Sequence, residues 1–156
     1  MNITAKSRYA LKVMMDLAIT GAPSTRHDIA KRQGLPVDFM DQIISRLKTA
    51  ELVKTTRGRM GGLNLNKPAS DISLWDIFSS VEDHLFSVVC LSDGCITEDS
   101  CLSVDIWKDV YAGFQYQLQE KILADVVKGK SLPTQIEGFI SECRAPKKGA
   151  PSLESR

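Results

Sequence analysis

Apolar residues recur along the first fifty positions at the three-to-four spacing of amphipathic helices. Tyr9, Ala10, Val13, Met14, Leu17 and Ala18 form one such stripe, with Thr4 placed as an N-cap and Gly21-Ala22-Pro23 as the stop. Ser24 or Thr25 caps a second, shorter helix over Arg26 to Gln33, with Asp28 in a capping-box-like position and Gly34 at the exit. A third helix begins around Pro36 to Asp38 and runs to about Glu51, with Phe39, Met40, Ile43, Ile44 and Leu47 as its apolar face. The pattern then switches to alternation in Leu52 to Arg57 and Leu63 to Asn66, separated by the glycine-rich tip Gly58-Arg59-Met60-Gly61-Gly62, which predicts a hairpin. Ser73, followed by Asp76, caps a fourth helix whose apolar face is Trp75, Ile77, Phe78 and Val81. Val104, Trp107, Tyr111, Phe114, Leu118 and Ile122 then define a coiled-coil-like seam on one helix of about 25 residues.

Two short helices joined at a glycine, with the small Ala30 allowing close approach, form a helix-turn-helix, and a hairpin directly after it is a wing. The fold expected is mainly α with a small β-hairpin wing: a winged helix-turn-helix plus a long C-terminal dimerisation helix. Residues 1–82 form the DNA-binding domain, 83–102 a cysteine-rich sensor loop, 103–127 the dimerisation helix and 128–156 a largely flexible tail. So small a domain offers too little surface to cover the seam entirely, which favours a homodimer over a seam packed wholly within the chain.

Charge sharpens this picture. Residues 1–67 hold 12 Lys/Arg against 5 Asp/Glu, residues 68–127 hold 2 against 11, and residues 128–156 hold 6 against 3, although the whole chain carries only +1. A basic first half suits a polyanion, and with a winged helix the expected partner is double-stranded DNA. The third helix would lie in the major groove of a palindromic site, with Asp41, Gln42 and Ser45 outward near base edges. Arg46 and Lys48 are placed to hold phosphates, as are Arg57 and Arg59 on the wing. Acids at a helix start also suit its dipole, which is the simpler account of Asp38. No apolar run approaches the roughly 18 residues of a membrane span and no signal core follows the N-terminal charges, so a cytoplasmic protein with no membrane partner is expected. Neither a phosphate loop nor a supported nucleophile triad is present, which argues against an enzyme.

Cys90, Cys95 and Cys101 fall within twelve residues, and such clustering in a reducing compartment favours a metal or redox role over a disulfide framework. Three thiolates suit an iron-sulfur cluster or zinc, each normally wanting a fourth donor. A thiol-disulfide switch and an inert loop are the alternatives, and the nearby Asp93, Glu98 and Asp99 disfavour a free thiolate. His84 reads as a lone histidine before an apolar run, and Cys143 as a spare thiol at the edge of the tail.

Ile3-Thr4-Ala5-Lys6-Ser7-Arg8-Tyr9-Ala10-Leu11, Ile29-Ala30-Lys31-Arg32-Gln33-Gly34, Arg57-Gly58-Arg59-Met60-Gly61-Gly62, Ile72-Ser73-Leu74-Trp75-Asp76-Ile77 and the three cysteines ahead of Leu102 and Trp107 stand in a specific order. Over roughly residues 1–127 the chain resembles the IscR/NsrR/RirA-type family of iron-sulfur-cluster winged-helix transcription regulators. The resemblance implies a homodimer whose long C-terminal helices cross, with an iron-sulfur cluster on Cys90, Cys95 and Cys101 controlling DNA affinity. It matches Asp41 to a family glutamate that tunes promoter choice, Gln42 to a DNA-contacting glutamine and Arg57 to the wing arginine. A 2Fe-2S cluster is the leading expectation, with 4Fe-4S or zinc as alternatives. Two departures are notable: the first cysteine gap is one residue shorter than in IscR, and Val104 stands where IscR has a histidine ligand. Arg8 stands where NsrR uses an aspartate. Asp105 and Asp99 are therefore the candidates for the fourth ligand, with Glu98 and Cys143 as further donors. A cluster-carrying or protein-interaction module without DNA binding is the competing reading from another class.

Overall fold

Thr4 opens the first helix by accepting from the Lys6 amide at 3.0 Å, and Gly21 closes it in the left-handed conformation at φ 61°, giving α1 (Ala5–Thr20). The structure, a computed structural model, describes residues 3–58, 61–83, 85 and 101–132. Thr25 caps α2 (Arg26–Gln33) through the Asp28 amide, and Gly34, again left-handed, turns the chain into α3 (Val37–Thr49) behind Pro36. The Thr25 hydroxyl also donates to the Asp28 carboxylate at 2.6 Å, so Asp28 serves the cap itself rather than closing a full capping box. Antiparallel strands β1 (Val53–Thr56) and β2 (Gly62–Leu65) follow, in register from Val53 opposite Leu65 to Thr56 opposite Gly62. A 3-10 turn, Ala69–Asp71, leads to Ser73, which forms a complete capping box with Asp76 at the start of α4 (Leu74–Val81). The last described elements are α5 (Val104–Gln119) and α6 (Leu123–Val127).

The apolar stripes converge on one core. Val13 and Met14 of α1, Ile29 of α2, Met40 and Leu47 of α3, and Ile77 and Val81 of α4 are all without significant solvent exposure. The wing is tied into this body by a short bridge: Ser24 exchanges backbone hydrogen bonds with Leu63 of β2 at 3.1 and 2.9 Å. Glycine is required beside it, because a Cβ at Gly62 would lie 2.8 Å from the Ser24 carbonyl oxygen.

Three expectations from the sequence are corrected. Phe39 is not part of the buried face of α3; it is 41% exposed and meets Tyr9 edge-on at 6.0 Å between ring centroids. The helix expected through residue 127 ends at Gln119. Its continuation is prevented by backbone pairing: Leu74 donates to the Lys121 carbonyl and Leu123 donates to the Ile72 carbonyl, both at 2.8 Å. Ile122 is consequently extended, and Leu123 is fully buried in the core as α6 begins. Lastly, the predicted seam is divided between two surroundings. Val104 is buried, Leu118 packs on the core and Tyr111 meets Trp75 of α4 edge-on, whereas Trp107 is exposed together with Ile106, Val110 and Tyr116 outside the seam.

Candidate nucleic-acid interface

Burial of Met40, Ile43, Ile44 and Leu47 fixes the rotation of α3 and leaves Asp38, Asp41, Gln42, Ser45, Lys48 and Thr49 exposed. Asp41, Ser45, Lys48 and Thr49 recur at helical spacing around one open depression with Ile44 at its base. A second open groove, of about 520 Å³, lies between the end of α3 and the wing and is lined by Lys48, Glu51, Lys54, Thr55, Arg57 and Asn66. Lys48 belongs to both, so helix and hairpin present one continuous polar surface with Lys48, Lys54 and Arg57 as its cations. The Asn66 side chain donates to the Glu51 carbonyl at 3.0 Å and holds the turn between α3 and β1, where Glu51 takes a positive φ of 56°. Arg59 lies outside the described residues.

Two of the predicted contact residues already have partners within the chain. Asp41 accepts from Arg26, the first residue of α2, at 2.5 Å. Arg46 makes a two-point contact with Asp83, donating to its two carboxylate oxygens at 2.8 and 3.2 Å. Asp83 directly follows Glu82, which accepts from the hydroxyls of Thr4 and, at 2.6 Å, Ser7. Burial pushes the Glu82 carboxyl up, but the hydrogen bonds from Ser7 and Thr4 outweigh it and leave its pKa below the ordinary value. The chain up to Asp83 is thus fastened to the start of α1 and to α3.

Behind the surface, Asp16 has no solvent exposure and is held by a fork from Arg32, at 3.1 and 2.6 Å, and by the Gln33 amide at 2.9 Å. Arg32 also donates to the Ser24 hydroxyl at 3.0 Å, which connects α1, α2 and the residue that bridges to the wing. The sequence reading singled out none of Arg26, Asp16, Glu82 and Asp83 as contacts. One signal was present for Asp16, a carboxylate set among Val13, Met14 and Leu17 on the apolar side of a helix.

Of the three clustered cysteines, Cys101 is described and Cys90 and Cys95 lie outside the described residues, as do Asp99 and His84. The Cys101 sulfur is 3.3 Å from the Ser103 hydroxyl, and that hydrogen bond is the main cause of a thiol pKa below the usual value. A hydrogen bond that favours the thiolate form suits a soft-metal ligand. Asp105 is exposed in the first turn of α5, one turn on from Cys101, while the adjacent Val104 is buried and has no donor. Among the described residues no three potential ligands gather at one point.

A helix-turn-helix whose exposed polar face runs into a basic hairpin defines a winged-helix DNA-binding transcription regulator. The chain belongs to the Rrf2 family of iron-dependent transcriptional regulators, whose profile matches residues 3–129. It is similar to the HTH-type transcriptional regulator IscR of Klebsiella pneumoniae, with 32% identity over 135 residues covering 85% of this chain and 83% of that protein. Among solved structures it is similar to T. potens IscR, with 27% identity and a TM-score of 0.67 over 90% of this chain and 96% of that one. CymR, the global cysteine regulator of B. subtilis, superposes with 26% identity and a TM-score of 0.65 over 84% of this chain and 99% of that one. No helix among the described residues is long and apolar enough to cross a membrane.

Proposed function

We propose that this regulator reads a palindromic promoter site as a homodimer and is switched by an iron-sulfur cluster held on Cys90, Cys95 and Cys101. The observation that carries the DNA reading is the unbroken surface from α3 to the wing, with Lys48 shared between the two grooves. Asp41, Gln42 and Ser45 meet base edges in the major groove, while Lys48, Arg57 and Arg59 neutralise phosphates on either side. Arg46 joins them by exchanging Asp83 for a phosphate. The hydrogen bond from Ser103 that lowers the Cys101 thiol pKa supports the metal reading, as does membership of a family of iron-dependent regulators. Asp105 or Asp99 completes the donor set. A bound cluster supplies redox and iron responsiveness; this chain's part is to hold thiolates next to a segment fastened to α3 through the Arg46–Asp83 pair.

The DNA reading is tested by the salt dependence of binding to a duplex selected from a random library. With about six phosphate contacts per dimer, affinity falls about a thousandfold between roughly 50 and 200 mM salt. A flat salt response overturns the phosphate contacts. The visible spectrum and the iron, sulfide and zinc content of protein purified without oxygen test the cluster. Colourless protein with stoichiometric zinc overturns it in favour of a zinc site, and a Cys95→Ala variant with unchanged DNA binding and oxidant response removes the loop as sensor.

A further inference from the structure

The Arg26–Asp41 pair joins the start of α2 to the outward face of α3. Arg26 engages Asp41 Oδ1 at 2.5 Å through a single nitrogen, and the two side chains are 56% and 66% exposed. So exposed a pair adds little to stability, because water screens it and two flexible side chains must be ordered. Its position is what distinguishes it. Asp41 lines the same depression as Ser45 and Lys48, on the surface proposed to face the bases. The other carboxylate on the first turn of α2, Asp28, is engaged by Thr25, which leaves Arg26 to Asp41.

We propose that Arg26 is a specificity-determining positioning residue, which sets how stringently Asp41 discriminates between bases. The inference rests on the reading of α3 as the base-contacting helix. A carboxylate can only accept hydrogen bonds, so in the major groove it is satisfied by the amino groups of cytosine or adenine and repelled by the keto oxygens of guanine and thymine. Paired to Arg26 through one oxygen, Asp41 keeps a second oxygen as acceptor while its net charge is largely offset. The pair therefore tolerates a mismatched base and the flanking phosphates better than a bare carboxylate does. Without Arg26 the full charge meets the groove: binding to every site weakens, and the penalty for a keto base opposite Asp41 grows.

The test uses the full chain and its Arg26→Gln, Arg26→Lys, Asp41→Ala and Arg26→Gln/Asp41→Ala variants. Sites are selected from random duplex DNA, and affinity is then measured for single-base changes across the selected half-site. Arg26→Gln is expected to sharpen discrimination at one position per half-site by at least about fivefold. Arg26→Lys, which keeps the charge, is expected to restore most of the wild-type tolerance. In the Asp41→Ala background Arg26→Gln changes no base preference. A uniform loss across all single-base variants, equal with and without Asp41, overturns the proposal and makes Arg26 a phosphate contact. An Asp41→Ala variant with wild-type preferences at every position overturns it differently, by removing Asp41 from base reading altogether. Thermal unfolding followed by circular dichroism confirms that each variant is folded before its sites are compared.

Discussion

Asp16 is the residue at which the fold carries its largest local risk. A carboxylate without solvent exposure is tolerated because Arg32 and Gln33 supply three hydrogen bonds to it, two of them from a planar fork matched to its geometry. Replacing Asp16 with Ala leaves the guanidinium of Arg32, whose side chain is only 26% exposed, without its counter-charge. The expected loss is about 3 kcal/mol in urea unfolding, at the lower end for a broken buried pair because Arg32 keeps some contact with water. The position of Asp16 on an apolar helix face was visible in the sequence; its partners were not. They depend on how α1 crosses α2, which spacing along either helix alone does not encode. The same limit applies on the exposed face of α3, where the exposure of Asp41 follows from the periodicity of the helix and its capture by Arg26 requires the packed pair of helices.

At the scale of elements, the starts and stops were the most legible feature. Thr4, Thr25 and Ser73 act as caps and Gly21 and Gly34 as left-handed exits, because capping is decided within four residues of the helix end. The break after Gln119 was illegible for the opposite reason. Nothing between Gln119 and Leu123 is a helix breaker, and the interruption is imposed by strand-like pairing with Ile72 and Leu74, nearly fifty residues away. The attachment of α4 to α1 likewise depends on a distant contact, Glu82 with Thr4 and Ser7, and it makes a pH prediction. A carboxyl with a folded pKa below its unfolded value stabilises the fold above the unfolded pKa, and this contribution fades as pH falls through the folded value. Glu82→Gln is therefore expected to be less stable than wild type near neutral pH, with the gap closing in acid. Urea midpoints measured at about pH 7 and about pH 3 check it, and an equal gap at both would show that packing rather than charge is responsible.

For the whole molecule, the outer face of α5 bears on assembly. Ile106 at 61% exposure, Val110 at 46% and Trp107 at 38% form an exposed apolar strip among the described residues. In the proposed homodimer the same strip of a second copy covers it, and Val110→Asp is expected to yield folded monomer by light scattering. Its affinity for a two-half-site duplex should then fall by at least about a hundredfold, through loss of the second half-site. Of these open residues Trp107 belongs to the predicted seam while Ile106 and Val110 lie beside it, since α4 claims Tyr111 and the core claims Leu118, a division that periodicity alone does not resolve. The Ser24–Leu63 bridge has a mechanical meaning beyond its two hydrogen bonds. With the hairpin pinned to the turn between α1 and α2, and no room at Gly62 for a side chain, the protein is a caliper with fixed jaws. In the proposed DNA complex, a hairpin held in this way leaves to the duplex more of the adjustment to groove width. Stiff and pliable steps between the contacted bases then acquire different binding energies without being touched.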